Sequence, residues 1–357
     1  MSGAGELSDV ERAWVDRAIK RGLVRLAQVE RAIAVRSAHD PDAPIEIVLV
    51  SLGFLKEDEL DTLGRTTRRM AAPAKPVAEP DVLVELWGSC TVLEPLGRGP
   101  TGPVYLALHG DTGRKVALKI VPPNALNRPF MRVFSRSVQI ALGLKHPRAA
   151  KVIDGGLQNG SLYVAVELLK GTTLLEFVRT NGPMPADQAA ALLAQVAGAV
   201  QAGHGLGLLH GNLKPENVFL TGKLEVKLTD YGLGRGHAEY LRNHADKAGT
   251  LVYSLAPEQW SAESVPASDF YQLGVLWQFM LTGRYPFEGR AFLEVRRKHE
   301  RTPPPPPSSV VPGIPASADS VAAALLEKEP GRRLASLSAL LEALGHVGAP
   351  RLRTRRR

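Results

Sequence analysis

The sequence predicts an α+β architecture: a small all-α domain, then a bilobal body with a small β-rich lobe and a larger α-rich lobe. Three observations carry this expectation. Apolar residues recur at helical spacing through residues 6–70. From residue 89 the texture changes to short apolar runs of β type separated by glycine turns. After Gly171 it changes again, to long Ala/Leu/Val segments of helical character.

In residues 1–70, Trp14, Ile19 and Leu23 fall on one helical face, and Val29 and Ile33 on another short segment. GLVRLAQVERAI from Gly22 and GFLKEDELDTLG from Gly53 look like two copies of one module, a turn glycine leading into an amphipathic helix. Residues 71–88 read as a Pro/Ala-rich linker, because AAPAKPVAEP has no periodicity and a semi-extended composition. TVLEPLGRG, GPVYLALHG and RKVALKIV then read as strands, with turns at Gly99-Pro100 and Gly110-Asp111-Thr112-Gly113, and SLYVAVELL as another buried strand. Helical segments are expected around 185–202, 267–282 and 316–344, ending the body near residue 346 before a basic tail, 347–357.

Composition narrows the function classes. At 44% apolar and 22% charged residues, the 357-residue chain reads as globular. Of its net charge of +8, five positive charges sit in RLRTRRR at the end, so the excess is largely a tail. That tail is either a solvated end or a weak contact for acidic partners or anionic lipid. A nucleic-acid function would need basic residues interleaved with aromatics on one face, and none occur outside the tail. Cys90 is the single cysteine, which forbids an intramolecular disulfide and fits a reducing cytoplasm. The longest apolar stretch, AAALLAQVAGAVQAG from Ala189, is broken by Gln and Gly and reads as a buried helix rather than a membrane span. MSGAGELSDVERAW is acidic and has no apolar signal region, so a cytoplasmic location is expected.

Five motifs occur in fixed order. GRGPTGPV from Gly97 matches G-x-G-x-x-G-x-V between two strand-like runs; VALK places Lys119 on the next strand; HGNLKPEN runs from His210; DYG occupies 230–232 and APE 256–258. Each is weak alone, but their order and spacing resemble the eukaryotic-type serine/threonine protein kinase family over residues 89 to about 346. The resemblance implies ATP and Mg2+ as cofactors and a protein partner or protein substrate. It implies that Gly97, Gly99, Gly102 and Val104 cover the nucleotide, glycines letting backbone amides approach phosphate. Lys119 would face the α- and β-phosphates, Lys214 the γ-phosphate, and Ala117 and Phe219 would sandwich the adenine. Glu167 to Leu169 would form the hinge, with Val166 as gatekeeper. Asp230 and Asn217 would hold magnesium through hard oxygen ligands. Asp269, in ASDFYQLGVLWQFMLTGRYPF, would be a structural carboxylate, and Arg333 of EKEPGRRL would pair with Glu258 of APE. The first 70 residues resemble, loosely, the N-terminal domain of type II secretion and pilus-assembly ATPases. Some members bind cyclic di-GMP through Arg-Leu-Gly; Ile45-Glu46-Ile47 stands there instead, so a protein-docking or spacer role is expected.

The departures from the family pattern bear most on function. Asn212 replaces the aspartate that accepts the proton of the attacking hydroxyl, an amide without useful basicity. Counting back from His146-Pro147, Ser137 falls where the αC glutamate would pair with Lys119, and no Asp or Glu occurs between Ile120 and Ile153. Lys119 must then pair with Asp230 or with phosphate. Pro100 removes one amide donor from the phosphate loop. Gly211 replaces the arginine that would clasp a phosphorylated loop, and LVYSLAPE carries one residue more than is usual before APE. The pattern predicts a nucleotide-binding pseudokinase acting as a signalling or docking module, with a weakly active serine/threonine kinase as the alternative. His210 is expected to be a core histidine rather than a metal ligand, and Trp260 and Trp277 to be core. TPPPPPSS from Thr302 reads as a stiff connector or a polyproline docking segment.

Overall fold

The computed structural model describes residues 7, 9–39, 45–51, 54–55, 86–99, 102–121, 128–231, 252–261, 263–289, 291–334 and 336–347. The linker stretch 71–80, Pro100, the segment 232–251 and the basic tail from residue 348 lie outside them. The chain divides into two compact units, 1–82 and 83–357. No helix among the described residues is long and apolar enough to cross a membrane.

The described residues of the first unit form three helices, α1 (Asp9–Lys20), α2 (Leu26–His39) and α3 (Ile45–Ser51). Their core is Trp14, Val15, Ala18, Val29, Ala32, Ile45 and Leu49, with Ile19, Leu23 and Ile33 packed at its edge. The face read from the sequence is thus the buried one. Gly22, at φ +71°, ends α1, and Leu23 N–H bonds back to Ala18 O at 3.0 Å. Phe54 N–H makes the same five-residue return to Leu49 O at 2.9 Å, so both copies close a helix with one device. The remainder of the second copy lies outside the described residues. Ile45, which opens the segment standing where Arg-Leu-Gly would be, belongs to the core.

The second unit begins with β1 (Leu86–Trp87), β2 (Cys90–Gly99), β3 (Gly102–His109) and β4 (Arg114–Val121). Helix α4 (Arg128–Ala141) follows, then β5 (Val152–Gln158) and β6 (Ser161–Glu167). The six strands form one antiparallel sheet in the order β1-β2-β3-β4-β6-β5. Strands β1 and β5 are additions to the sequence reading. Leu86-Trp87 sits inside the stretch read as linker, and VIDGGLQ carries two glycines that mask its strand character.

The α-rich lobe starts at β7 (Thr172–Thr173) and α5 (Leu174–Asn181), whose N-terminus is closed by a capping box between Thr173 and Glu176. Helix α6 (Ala186–His204) and helix α7 (Pro266–Thr282) form its centre, as expected from their apolar runs. Between them come β8 (Val218–Leu220) and β9 (Val226–Leu228), which complete a small sheet with β7. Helices α8 (Phe292–Arg301), α9 (Pro307–Val310), α10 (Ala316–Leu325) and α11 (Leu337–Gly345) follow. The proline-rich stretch is the connector from α8 to α9, pinned where Ser308 N–H donates to Asp319 Oδ1 at 2.9 Å. The single segment expected over 316–344 is two helices, because Pro330 and the turn around it carry Arg333 inward. Gly274 lets α7 meet α10: a Cβ there would lie 2.8 Å from Leu325 Cβ. Trp277 is fully buried and donates from Nε1 to Ala318 O at 3.0 Å; Trp260 is also core.

The Arg333–Glu258 pair is present and bidentate, at 2.6 and 2.7 Å, with Ser268 Oγ donating to the same carboxylate at 2.6 Å. Arg333 also donates to the carbonyls of Glu327, Lys328 and Ala267, so its guanidinium is saturated. Burial alone would push the Glu258 carboxyl up, but the Arg333 and Ser268 hydrogen bonds outweigh it and hold the carboxyl below its ordinary value. A carboxyl depressed on folding stabilises above its unfolded pKa and loses that contribution as pH falls through the folded one. Arg333→Ala should therefore cost about 3–5 kcal/mol by leaving a buried carboxylate unpaired. Urea unfolding at neutral pH measures the loss, and the difference from wild type should shrink as the solution is acidified.

Candidate active site

The loop between α6 and β8 is shaped by one carboxylate. Asp269, near the start of α7, accepts from His210 N–H at 2.9 Å and Gly211 N–H at 2.6 Å, and His204 Nε2 lies 2.7 Å away. Gly211 sits at φ +69°, a left-handed conformation natural to glycine and strained for the arginine of the family pattern. Its carbonyl accepts from Gln259 Nε2 at 3.1 Å and Gln272 Nε2 at 3.2 Å. Gln272 Oε1 in turn accepts from Leu213 N–H at 2.9 Å, and Gln259 Oε1 from Ala256 N–H at 2.9 Å. This amide clamp is absent from the sequence reading. Its only signal there is a pair of isolated glutamines, one following APE and one three residues after Asp269 in a mostly apolar helix.

His210 is a core histidine, as expected. Its Nε2 donates to Thr229 O at 2.9 Å, and Nδ1 accepts from Asn212 N–H at 3.2 Å, which fixes the neutral tautomer. Burial pulls its pKa down, against Asp269. The ring meets that of Tyr231, the residue after Asp230, in a tilted contact with centroids 4.6 Å apart.

Asn212 itself is 1% exposed, and neither its Oδ1 nor its Nδ2 has a hydrogen-bond partner. Buried amides are ordinarily paired, so a water or a ligand group would supply the missing partner here. Its backbone carbonyl accepts from Asn217 Nδ2 at 2.8 Å, which orients the Asn217 amide and leaves Oδ1 as the atom able to face a cation. Lys214 is buried, and that burial lowers its pKa against the opposing fields of Glu216 and Asp230.

From the other lobe, Lys119 on β4 reaches across to Asp230, Nζ to Oδ2, at 2.8 Å. Asp230 stands at φ +65°, a left-handed position uncommon for a non-glycine residue. Ser137 lies on α4, buried and without a carboxylate to offer Lys119, so the cross-lobe pair is the one anticipated. Val104 lies opposite Lys119 and Ala117 opposite Val166 in the sheet register, while Gly97 lies opposite Val104 and Gly99 opposite Gly102. A Cβ on Gly99 would lie 3.9 Å from Lys119 Nζ, so the end of β2 stands close to the lysine. Phe219 is half-buried on β8. Glu167 ends β6 with its N–H on Lys151 O at 2.9 Å and its carboxylate bound by Lys151 N–H at 3.0 Å and Lys227 Nζ at 2.7 Å. Leu169 follows in the connection between the lobes. Gly232 and the loop residues Gly249 and Thr250 lie outside the described residues.

The donor set fits a magnesium–triphosphate group. Asp230 and the Asn217 carbonyl would serve as hard oxygen ligands, with the cations Lys119 and Lys214 to meet phosphate and Gly99 and Gly102 bringing no Cβ to it.

Comparison with known proteins agrees with this geometry. The protein kinase domain family model matches residues 90–345. Serine/threonine-protein kinase Pkn1 of Myxococcus xanthus is 33% identical over 289 residues, covering 79% of this chain and 41% of that protein. PknB of Mycobacterium leprae is 34% identical over 246 residues, 67% of this chain and 39% of that protein. PrkC of Bacillus subtilis is 29% identical over 248 residues, 69% and 38%. The chain thus matches less than half the length of these relatives. Among solved structures, the kinase domain of Mycobacterium tuberculosis PknI aligns with TM-score 0.61 and 27% identity, over 74% of this chain and 97% of that one. Thermal melts test the fit: ATP with magnesium should raise Tm, since a ligand of the native state stabilises it. Asp230→Ala should abolish the magnesium-dependent part of the shift, and Lys119→Ala should weaken the remainder.

Proposed function

Because the chain belongs to the protein kinase domain family, we propose that its cleft binds ATP with magnesium and transfers the γ-phosphate, slowly, to serine or threonine hydroxyls of a protein. The observation that carries this reading is the buried, unpartnered Asn212 amide on a loop whose backbone is held by Asp269. Its Oδ1 would accept the hydrogen bond of an incoming hydroxyl and orient the oxygen. It would not remove the proton. Phosphoryl transfer depends largely on positioning and on neutralising charge, so a cleft that keeps both retains some turnover. Loss of the general base costs roughly 10²–10⁴ in rate.

Each remaining residue has a place in this scheme. Lys119 would hold the α- and β-phosphates under the glycine turn, with Gly97, Gly99, Gly102 and Val104 covering them. Lys214 would meet the γ-phosphate. Asp230 and Asn217 would hold magnesium, which neutralises the phosphate oxygens when bound. Ala117 and Phe219 would enclose the base, with Glu167 and Leu169 at the hinge.

A second reading is favoured by one specific observation. Lys119 is paired with Asp230 and α4 supplies no acid at Ser137, so the helix has no charged link to the nucleotide site. In that reading nucleotide binding closes the lobes and presents a docking surface to a protein partner, without transfer. The first unit would then serve as a docking or spacer domain.

Transfer of radiolabelled phosphate to a generic protein substrate separates the two. Wild type should show slow transfer that Asp230→Ala abolishes, and Asn212→Asp should raise it by about 10²–10⁴. No transfer by wild type or by Asn212→Asp, with the ATP thermal shift retained, would instead select the docking reading.

A further inference from the structure

At the end of the β2–β3 hairpin opposite the glycine turn, three side chains of different chemistry converge. Cys90 and His109 are directly paired across β2 and β3, so both project to the same face of the sheet, and both are buried. Asp154 comes from β5, at the other edge of the six-stranded order. The two edges meet because the sheet curls. Ser89 N–H donates to Asp154 Oδ2 at 3.3 Å, Gly88 N–H to Gln158 Oε1 at 2.9 Å, and Gln158 Nε2 to Leu86 O at 2.6 Å. As a result the Cys90 sulfur, a His109 ring nitrogen and an Asp154 oxygen all lie within 4.8 Å of one another. Among the described residues this is the one such group of three or more His, Cys, Asp or Glu.

Its surroundings are those of ligands held in place. Asp154 Oδ1 accepts from Gly155 N–H at 2.7 Å, and Tyr163 OH approaches the same carboxylate at 3.4 Å. His109 Nδ1 contacts Thr112 Oγ1 at 3.1 Å. Asp111, bonded to Ser89 Oγ at 2.9 Å, brings a second carboxylate to the neighbourhood. Trp87 and Tyr163 form part of the same apolar cluster as Cys90. Burial, then the carboxylates of Asp154 and Asp111, push the Cys90 thiol up to about 11. Such an environment resists an isolated thiolate and favours a cation beside the sulfur.

We propose that Cys90, His109 and Asp154 form a zinc-binding site that ties the two edges of the β-rich sheet together. Thiolate, imidazole and carboxylate are the ligands zinc takes, and a soft sulfur selects against magnesium, whose site lies in the cleft. Tetrahedral zinc places its ligand atoms roughly 3.3–3.7 Å apart, so metal entry needs a contraction that side-chain rotation supplies. Binding replaces the thiol S–H bond by a sulfur–zinc bond and releases one proton to water. A water molecule or Asp111 completes the fourth position. This site is independent of the phosphotransfer reading.

The test uses the full chain, untagged and stripped of metal with a chelator, then titrated with zinc alone or cobalt alone. We expect one equivalent of zinc to bind and to raise Tm, with neither effect reproduced by magnesium. Cobalt should give a thiolate-to-metal charge-transfer absorption, and because the chain has a single cysteine that band can arise only at Cys90. Cys90→Ser should remove the band, and His109→Gln should weaken zinc binding by more than the roughly 10–100-fold that follows loss of an outer-shell partner. If wild type shows no cobalt–thiolate band, or zinc raises the Tm of Cys90→Ser as much as that of wild type, the proposal is wrong. Wild-type cobalt absorption decides the matter even if a variant fails to fold.

Discussion

The catalytic loop exists because one carboxylate is buried beneath it. Asp269 is removed from water and would be costly there without compensation. Two backbone N–H groups and an imidazole supply it. The exchange runs in both directions. The loop from His210 to Asn217 has almost no regular secondary structure to satisfy its backbone groups, and Asp269, Gln259 and Gln272 satisfy them from α7 and the segment after APE. Position 212 is therefore set by the scaffold and not by its own side chain. This is why an amide can occupy the place of an acid without disturbing the loop.

The cross-lobe contact obeys a different logic. Where a helix glutamate would hold the lysine in the family pattern, Lys119 pairs instead with Asp230 at 2.8 Å, the residue proposed to hold magnesium. The sheet and the large lobe are then linked by a bond that a nucleotide must share or displace. Helix α4 stays attached without an ion pair to Lys119, with Val138 buried against Gly155 and Gln139 donating to the Gly155 carbonyl at 3.3 Å. Movement of that helix changes apolar burial and does not break the lysine's charge pair. Its coupling to the nucleotide site is correspondingly weaker than a charge pair would make it.

Much of this was legible in the sequence, and the reasons are physical. Lys119, Asn217, Asp230, Asp269 and the Glu258–Arg333 pair were legible through the ordered motifs that resemble the protein kinase family, and the resemblance implied their placement. The acid-free window from Ile120 to Ile153 excluded a glutamate partner for Lys119 and left Asp230 or phosphate, of which the structure shows Asp230. What escaped were long-range contacts between locally unremarkable residues. Gln259 and Gln272 are single polar residues whose role emerges only when two segments meet. Strand β5 is hidden by its glycines. Cys90 and His109 come from β2 and β3 and Asp154 from the edge strand β5, and they meet only because the sheet curls, a tertiary fact with no local signature.

The charge balance of the cleft joins these points. The family pattern places carboxylates at positions 212 and 137; here both are neutral, while Lys119 and Lys214 remain. Gly211 in turn removes an arginine of that pattern, so the site is one charge more positive than the pattern, in a partly desolvated setting where charge acts strongly. Lys214 registers the cost, its charged form disfavoured by burial and supported only by Glu216 and Asp230. A polyanion entering with magnesium relieves that imbalance, and a hydroxyl entering beside Asn212 meets an amide that bonds without accepting its proton. An unpaired buried polar group costs about 1–3 kcal/mol, and the cleft carries that cost at Asn212 until something binds. On the proposed reading, the amide at position 212 that would slow phosphate transfer is also the polar group that an entering hydroxyl would satisfy.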